Sequence, residues 1–476
     1  MGSGQSSPAK ACLDAICGNR TGCVAYPNNP LYQISWVKPY NLEIPVVPAA
    51  VLRPDNAQDV ADAVKCAQEN GIKVQAKSGG HSYGNFGLGG DGELAIDLVN
   101  LKGFGMNETT WQATVGGGMH LGELDQYLHK NGGRAMAHGT CPGVGIGGHA
   151  TIGGLGPMSR MWGSALDHVV EVEVVTADGE IKRASETENN DLFWAIRGAG
   201  GSFGIVTEFV VKTHPEPGDV VEYTYSVSFG SQSEMASIYQ QWQDLIGDPD
   251  MDRRFSSLFI AQRLGVLITG TFYGTEEEYT ASGIPSKMPG GGKNGTGTGF
   301  QLKDWLGSLA HQAEMEFMYL SGLPSHFYSK SLTFREEDLL SDNTITDLFT
   351  YMDNEGDKSL LWAIIFNSEG GAMADTATEA TAYPHRDKVM MYQSYGLGAL
   401  GVPDKMRKYL DGVHEKIQGG APEALSTYAG YIDTSIDREA AQKLYWAGQL
   451  PRLRMVKKKW DPEDVFRNPQ SVEPAE

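Results

Sequence analysis

From Val221 onward apolar and polar positions alternate without a break: Val221, Tyr223, Tyr225, Val227 and Phe229 stand on one side, with more polar partners between them. A period of two predicts a half-buried strand with one apolar face. The runs 256–262 and 265–273 read as further strands, and 233–246 and 302–313 as helices. The stretch after HPEPGD (214–219) therefore predicts an antiparallel sheet with flanking helices. MPGGGKNGTGTG (288–299) predicts a flexible loop. Upstream the order differs. PVVPAAVLRP (45–54) predicts a strand closed by proline, residues 57–69 an amphipathic helix capped by Asp55 or Asn56, and GIKVQA (71–76) the next strand. Strand, helix, strand, glycine-rich loop is an order that suits an α+β nucleotide-binding lobe.

Two glycine-rich segments interrupt the pattern, AKSGGHSYG (76–84) and HGTCPGVGIGGH (138–149). Glycine lets a backbone take φ > 0 and approach a ligand without a Cβ in the way, so His81 and Cys141 are offered to a ligand rather than packed away. GVGIGG (143–148) imitates a dinucleotide fingerprint, but Cys141 and Pro142 precede it where that fingerprint requires a strand.

At 476 residues, 41% hydrophobic and 20% charged, the chain has ample core for several domains. No apolar run approaches the roughly 20 residues of a membrane span, so no membrane is expected as a partner. A net charge of −21 argues against nucleic acid, since nothing here would displace counterions from phosphates. Five cysteines leave one thiol to explain in an oxidising compartment. With the sequons at Asn19, Asn107 and Asn294 they favour a secreted protein. The first residues, MGSGQSS, lack the hydrophobic core of a signal peptide and read as the head of a mature chain. They also match a myristoylation pattern, which the sequons and cysteines oppose.

The wording of the two glycine segments resembles the flavoproteins of the vanillyl-alcohol-oxidase superfamily, specifically the berberine-bridge-enzyme-like branch whose FAD is attached to the protein twice. There the His of GGHS bonds the flavin 8α-methyl and the Cys of the second loop bonds C6; His81 and Cys141 match both positions. DLFWAIRGAGGSFGIVT (191–207) resembles the end of that branch's FAD-binding domain, and YAGYID (428–433) and DPEDVFRNPQSV (461–472) its C-terminal signature. The likeness implies an α+β, two-lobed protein. Its FAD-binding lobe would span 1–217 and its substrate lobe 218–423, with 424–476 completing the first. It also implies FAD contacts from Ser78, Gly79, Gly80, Ser82, Gly84, Gly145, Gly148, Gly204 and Val206, and no metal. Val144 takes the place of a small gatekeeper that admits dioxygen, and His149 that of a group stabilising the reduced flavin or an oxygen-derived anion. A Cys12–Cys66 disulfide is implied as well, which leaves Cys17 and Cys23 close enough to close a small loop.

The reaction implied is hydride removal from a carbon bearing a hydroxyl, with a base taking the hydroxyl proton. Tyr431 falls where the branch's sugar oxidases carry that base, Tyr83 where a tyrosine positions the substrate hydroxyl, and Gln393 where a glutamine binds substrate. A tyrosine with its ordinary pKa near about 10 needs a polarising neighbour. The sugar oxidases supply an Asp, three residues before a GlyGly pair; in IFNSEGG (365–371) Asn367 stands there instead. Either Glu369 substitutes, or Tyr431 is activated mainly by flavin and substrate. The expectation is a secreted, monomeric FAD oxidase taking the anomeric C1 hydroxyl of a gluco-, cello-, xylo- or chito-oligosaccharide to the lactone and dioxygen to hydrogen peroxide. The rivals are a secondary-metabolism oxidase acting on an alkaloid-like or phenolic alcohol, and a flavin- and carbohydrate-binding protein disabled at Asn367.

Overall fold

The computed structural model describes residues 8–228, 231–263, 265–289, 298–320, 324–356 and 361–476. Three larger sheets and one two-stranded ribbon, Arg134–Ala135 with His214–Pro215, organise the described residues of the α+β chain. The first has the strands Val24–Ala25, Ala50–Leu52, Leu94–Asp97 and Val74–Lys77 in that order, the last three parallel. The helix Ala57–Glu69 joins Ala50–Leu52 to Val74–Lys77. Asn56 caps it, accepting the Asp59 N–H at 2.9 Å. The end of Val74–Lys77 launches the His81 loop.

The second sheet is antiparallel, in the order Phe104–Asn107, Gln112–Gly116, Ile205–Lys212, Val169–Val175, Ile181–Ser185. The third is a seven-stranded antiparallel sheet, in the order Thr298–Lys303, Val220–Ser228, Gly265–Phe272, Phe255–Gln262, Leu361–Ser368, Met390–Gly398, His326–Phe334. One face buries Val221, Tyr223, Phe255, Phe259, Ile268, Phe366 and Tyr392 against the helices Ala236–Ile246, Asp342–Glu355 and Asp404–Gly420. The C-terminal segment then returns to the first half. The buried Lys457 ammonium pairs with Asp461 at 2.6 Å and donates to the carbonyls of Ser202 and Phe466, and Val74 N–H donates to the Val465 carbonyl.

Disulfides join Cys12 to Cys66 and Cys17 to Cys23. Among the described residues no helix is long and apolar enough to cross a membrane.

Several boundaries differ from the sequence pattern. Of 45–54 only Ala50–Leu52 is strand, because Pro45 and Pro48 have no N–H for a ladder and Val47 N–H bonds the Asp91 side chain. The next strand runs Val74–Lys77, displaced from 71–76. The helix expected at 302–313 is preceded by the strand Thr298–Lys303, whose residues pair with Val220–Tyr225. The helix itself, Trp305–Leu320, starts after Asp304, whose carboxylate accepts the Gly307 N–H. Thr298 and Gly299 thus belong to a strand rather than to the loop 288–299. Phe229, the sequon at Asn294 and most of that loop lie outside the described residues.

Candidate functional site

The two glycine segments meet over one cavity of about 420 Å³. Their backbones interlock. A Cβ on Gly79 would overlap the Gly145 nitrogen and the Gly143 oxygen, and one on Gly143 would lie 3.0 Å from His81 Nε2. These glycines serve first to let the loops close on each other. Ser78 Oγ ties the junction, donating to the Gly117 carbonyl at 2.7 Å. His81 and Cys141 both line the cavity, and Cys141 is in neither disulfide.

Opposite them stands the other face of the seven-stranded sheet. Leu258 pairs with Asn367, Asn367 with Met391, and Ile365 with Gln393, so Leu258, Ile365, Asn367, Gln393 and Tyr395 look into the same space. Asn367 Oδ1 and Gln393 Oε1 are buried with no hydrogen-bond partner. The C-terminal turn brings in Tyr431, stacked on Tyr83 at 5.7 Å between ring centroids and edge-on to Tyr428 at 5.3 Å. Tyr83 also meets Tyr395 and Phe327 edge-on, and Tyr40 covers His81 at 4.5 Å. Asn41 Nδ2 holds the Tyr83 carbonyl, fixing the ring from the N-terminal segment.

Burial controls the charges. The His81 imidazole is pushed down to about 4 by burial and by His120, so it is neutral at pH 7 with a ring lone pair for bonding. His149 is pushed down to about 3 by burial, then by His138 and His81; its Nε2 accepts the Gly139 N–H at 2.8 Å. Burial alone would depress His138, yet Asp125 at 2.7 Å and the Gly139 carbonyl at 2.8 Å hold it above the usual range. Burial raises Glu369 to about 8, with Arg160 opposing. The Arg160 guanidinium is spent on the carbonyls of Glu369, Phe255 and Met251 and makes no bond to the Glu369 carboxylate. At neutral pH neither Asn367 nor Glu369 therefore carries a negative charge.

The cavity gathers Ser78, Gly79, Gly80, His81, Ser82, Tyr83, Cys141, Val144, Gly145, Gly148, His149, Asn367, Glu369, Gln393 and Tyr431. Gly84, Gly204 and Val206 do not line it. Space at Gly84 is taken by the Phe86 ring, Gly204 packs on Val174 and Val175, and Val206 pairs with Val174 inside the second sheet. The sequence reading missed Tyr40, Tyr395, Glu222, His311 and Gln312, all of which line the cavity. The alternation at 221–229 already held Glu222 on its polar side; nothing local marked His311.

These residues fit the flavin that the glycine segments imply: a neutral imidazole and a thiol border one cavity, and a Cβ on Gly148 would meet nothing within 4 Å on that wall. The chain matches the family model described as FAD binding domain over residues 48–185 and the one described as berberine and berberine like over 427–473. It is 38% identical to the FAD-linked oxidoreductase sorD of Penicillium rubens, over 98% of this chain and 99% of that protein. Its fold is similar to that of the xylooligosaccharide oxidase from Myceliophthora thermophila in complex with xylobiose, with a TM-score of 0.89, 32% identity, and coverage of 99% of this chain and 100% of that one. It is equally similar, at a TM-score of 0.89 and 32% identity over 98% and 99% of the two chains, to the glucooligosaccharide oxidase of Acremonium strictum, a protein described as holding a 6-S-cysteinyl, 8α-N1-histidyl FAD.

Proposed function

This chain belongs to the FAD-binding, berberine-like family of oxidoreductases, and from that premise we propose that it oxidises the anomeric C1 hydroxyl of an oligosaccharide to the lactone and passes the electrons to dioxygen, giving hydrogen peroxide. FAD, once bound, supplies the acceptor for the hydride; we assign its attachment to His81 and Cys141. The lobe 1–217 with the segment 424–476 would hold it, and 218–423 would present the substrate. The cysteine pairs support a secreted protein.

The observation that carries the reading is the pair of buried, unpartnered amide oxygens, Asn367 Oδ1 and Gln393 Oε1, beside the Tyr83–Tyr431 stack. An unmet buried acceptor costs about 1–3 kcal/mol, which hydroxyl donors on a ligand offset and an apolar ligand does not. Tyr431 takes the proton of the reacting hydroxyl, Tyr83 holds its ring in place, and Asn367 orients the hydroxyl without accepting its proton. With Glu369 protonated below about pH 8, no carboxylate at 367 or 369 drives Tyr431 at neutral pH, so its activation falls to the bound cofactor and substrate. His149, a neutral donor through Nδ1, and Val144 border the route by which dioxygen arrives.

A second reading, oxidation of a phenolic or alkaloid-like alcohol, is favoured by one observation: Asn367 stands where the sugar oxidases of the branch carry an Asp. Stopped-flow flavin reduction with cellodextrins, xylodextrins and phenolic alcohols decides between them. Sugars should reduce the flavin with release of peroxide, and Tyr431→Phe should slow that step by about 10²–10⁴-fold, the contribution of a positioned base. Reduction by the phenolic set alone would overturn the carbohydrate reading.

A further inference from the structure

The cavity does not end at the Tyr83–Tyr431 pair. It continues along the polar side of the strand Val220–Ser228 to Glu222, against the helix Trp305–Leu320. Glu222 is 7% exposed, and its carboxylate accepts Ser308 Oγ at 2.7 Å and His311 Nδ1 at 2.6 Å, with Lys303 Nζ at 3.7 Å. Since Nδ1 donates to Glu222, Nε2 is the nitrogen His311 has left for a ligand. Gln312 spends Nε2 on Thr271 Oγ1 at 3.1 Å and Ser308 Oγ at 3.0 Å, which leaves its amide oxygen. His311, Gln312 and Glu222 all line the cavity, and the hydroxyls of Thr224 and Thr269, 3.2 Å apart, floor the way to them.

Register sets the span. Thr224 pairs with Thr269, Thr269 with Leu258 and Leu258 with Asn367, so three strand spacings of about 4.8 Å, about 14 Å in all, separate this wall from Asn367. A single sugar ring does not bridge that distance. An apolar chain would leave His311 Nε2 and the Gln312 oxygen without partners.

We propose that His311 and Gln312, positioned by Glu222 and Ser308, recognise a hydroxyl-bearing unit of the substrate remote from the oxidised carbon, so that the enzyme selects extended saccharides. This rests on the carbohydrate reading above. The test is titration calorimetry of the holoenzyme with a mono-, di- and trisaccharide of one series, repeated on His311→Leu, Gln312→Leu and the double variant, with flavin content and melting temperature as folding controls. Parent affinity should rise with chain length. In the variants the ratio of trisaccharide to monosaccharide affinity should fall at least about tenfold, the loss of one or two hydrogen bonds. An unchanged ratio, no dependence on length in the parent, or no binding of any saccharide overturns the proposal. Length-dependent binding without flavin reduction would overturn the activity assigned above and leave this recognition site standing.

Discussion

His81 and Cys141 approach one cavity from two loops, the first as a neutral imidazole and the second as the fifth cysteine of a chain whose other four are paired. The double attachment proposed above predicts that His81→Ala or Cys141→Ala alone leaves the acid-precipitated protein yellow, and that only the double variant releases the colour. Release from either single variant would leave one link. Glu369 supplies a second prediction at this scale. Its folded-state pKa, about 8, lies above the unfolded value near 4.5. Between those values the folded state keeps a proton that the unfolded state loses, so this residue's contribution to stability is complete below about pH 4.5 and is lost as pH rises through 8. Glu369→Gln should remove that slope, gaining a few kcal/mol on the parent between pH 5 and pH 8, since every tenfold difference in proton affinity between folded and unfolded chain is worth about 1.4 kcal/mol. Parallel urea denaturation curves at the two pH values would refute it. His81, Cys141 and Tyr431, which the structure brings to one cavity, could be singled out in the sequence because short motifs surround them. The protonation of Glu369 was not legible there, because it comes first from burial in the folded chain, opposed by Arg160, 209 residues away, whose donors go to carbonyls instead.

Among the elements, the glycine loops act as a joint rather than as two separate cradles. Because a Cβ on Gly145 would overlap the Gly79 nitrogen and Ser78 Oγ, Gly145→Ala should part the loops, costing about 3 kcal/mol or more as overpacking. Its signature would be a lower melting temperature together with loss of bound flavin. Normal flavin content with an unchanged melting temperature would show that the junction yields. The strand Val220–Ser228 shows the limit of period two. Alternation identified the core face of Tyr223, but a polar face reads the same whether it meets solvent or a cavity, and here Glu222 is buried. The bounds of the helix Ala57–Glu69 were legible to the residue from its amphipathic run, and of the two candidate caps, Asp55 and Asn56, the structure uses Asn56.

Across the whole molecule, the Cys12–Cys66 bridge closes 54 residues and ties the helix Pro8–Cys17 to the first sheet's helix. Breaking it with Cys12→Ser should cost about 4 kcal/mol by the loop-closure relation, read as a shift in denaturant midpoint with the Cys17–Cys23 bridge intact. A midpoint within error of the parent would mean that the terminal helix is held by packing alone. The sequence by itself determined the family and most of the strand-and-helix order, and it singled out His81, Cys141 and Tyr431 as candidates, because each is written in contiguous motifs or local periodicity. Only the tertiary structure decided that Asn367 and Gln393 share one wall with unpartnered oxygens, that burial keeps Glu369 neutral, and that Glu222, His311 and Gln312 line the same cavity. Those properties arise from strand register and from desolvation between segments separated in the chain, and neither leaves a local pattern in the sequence.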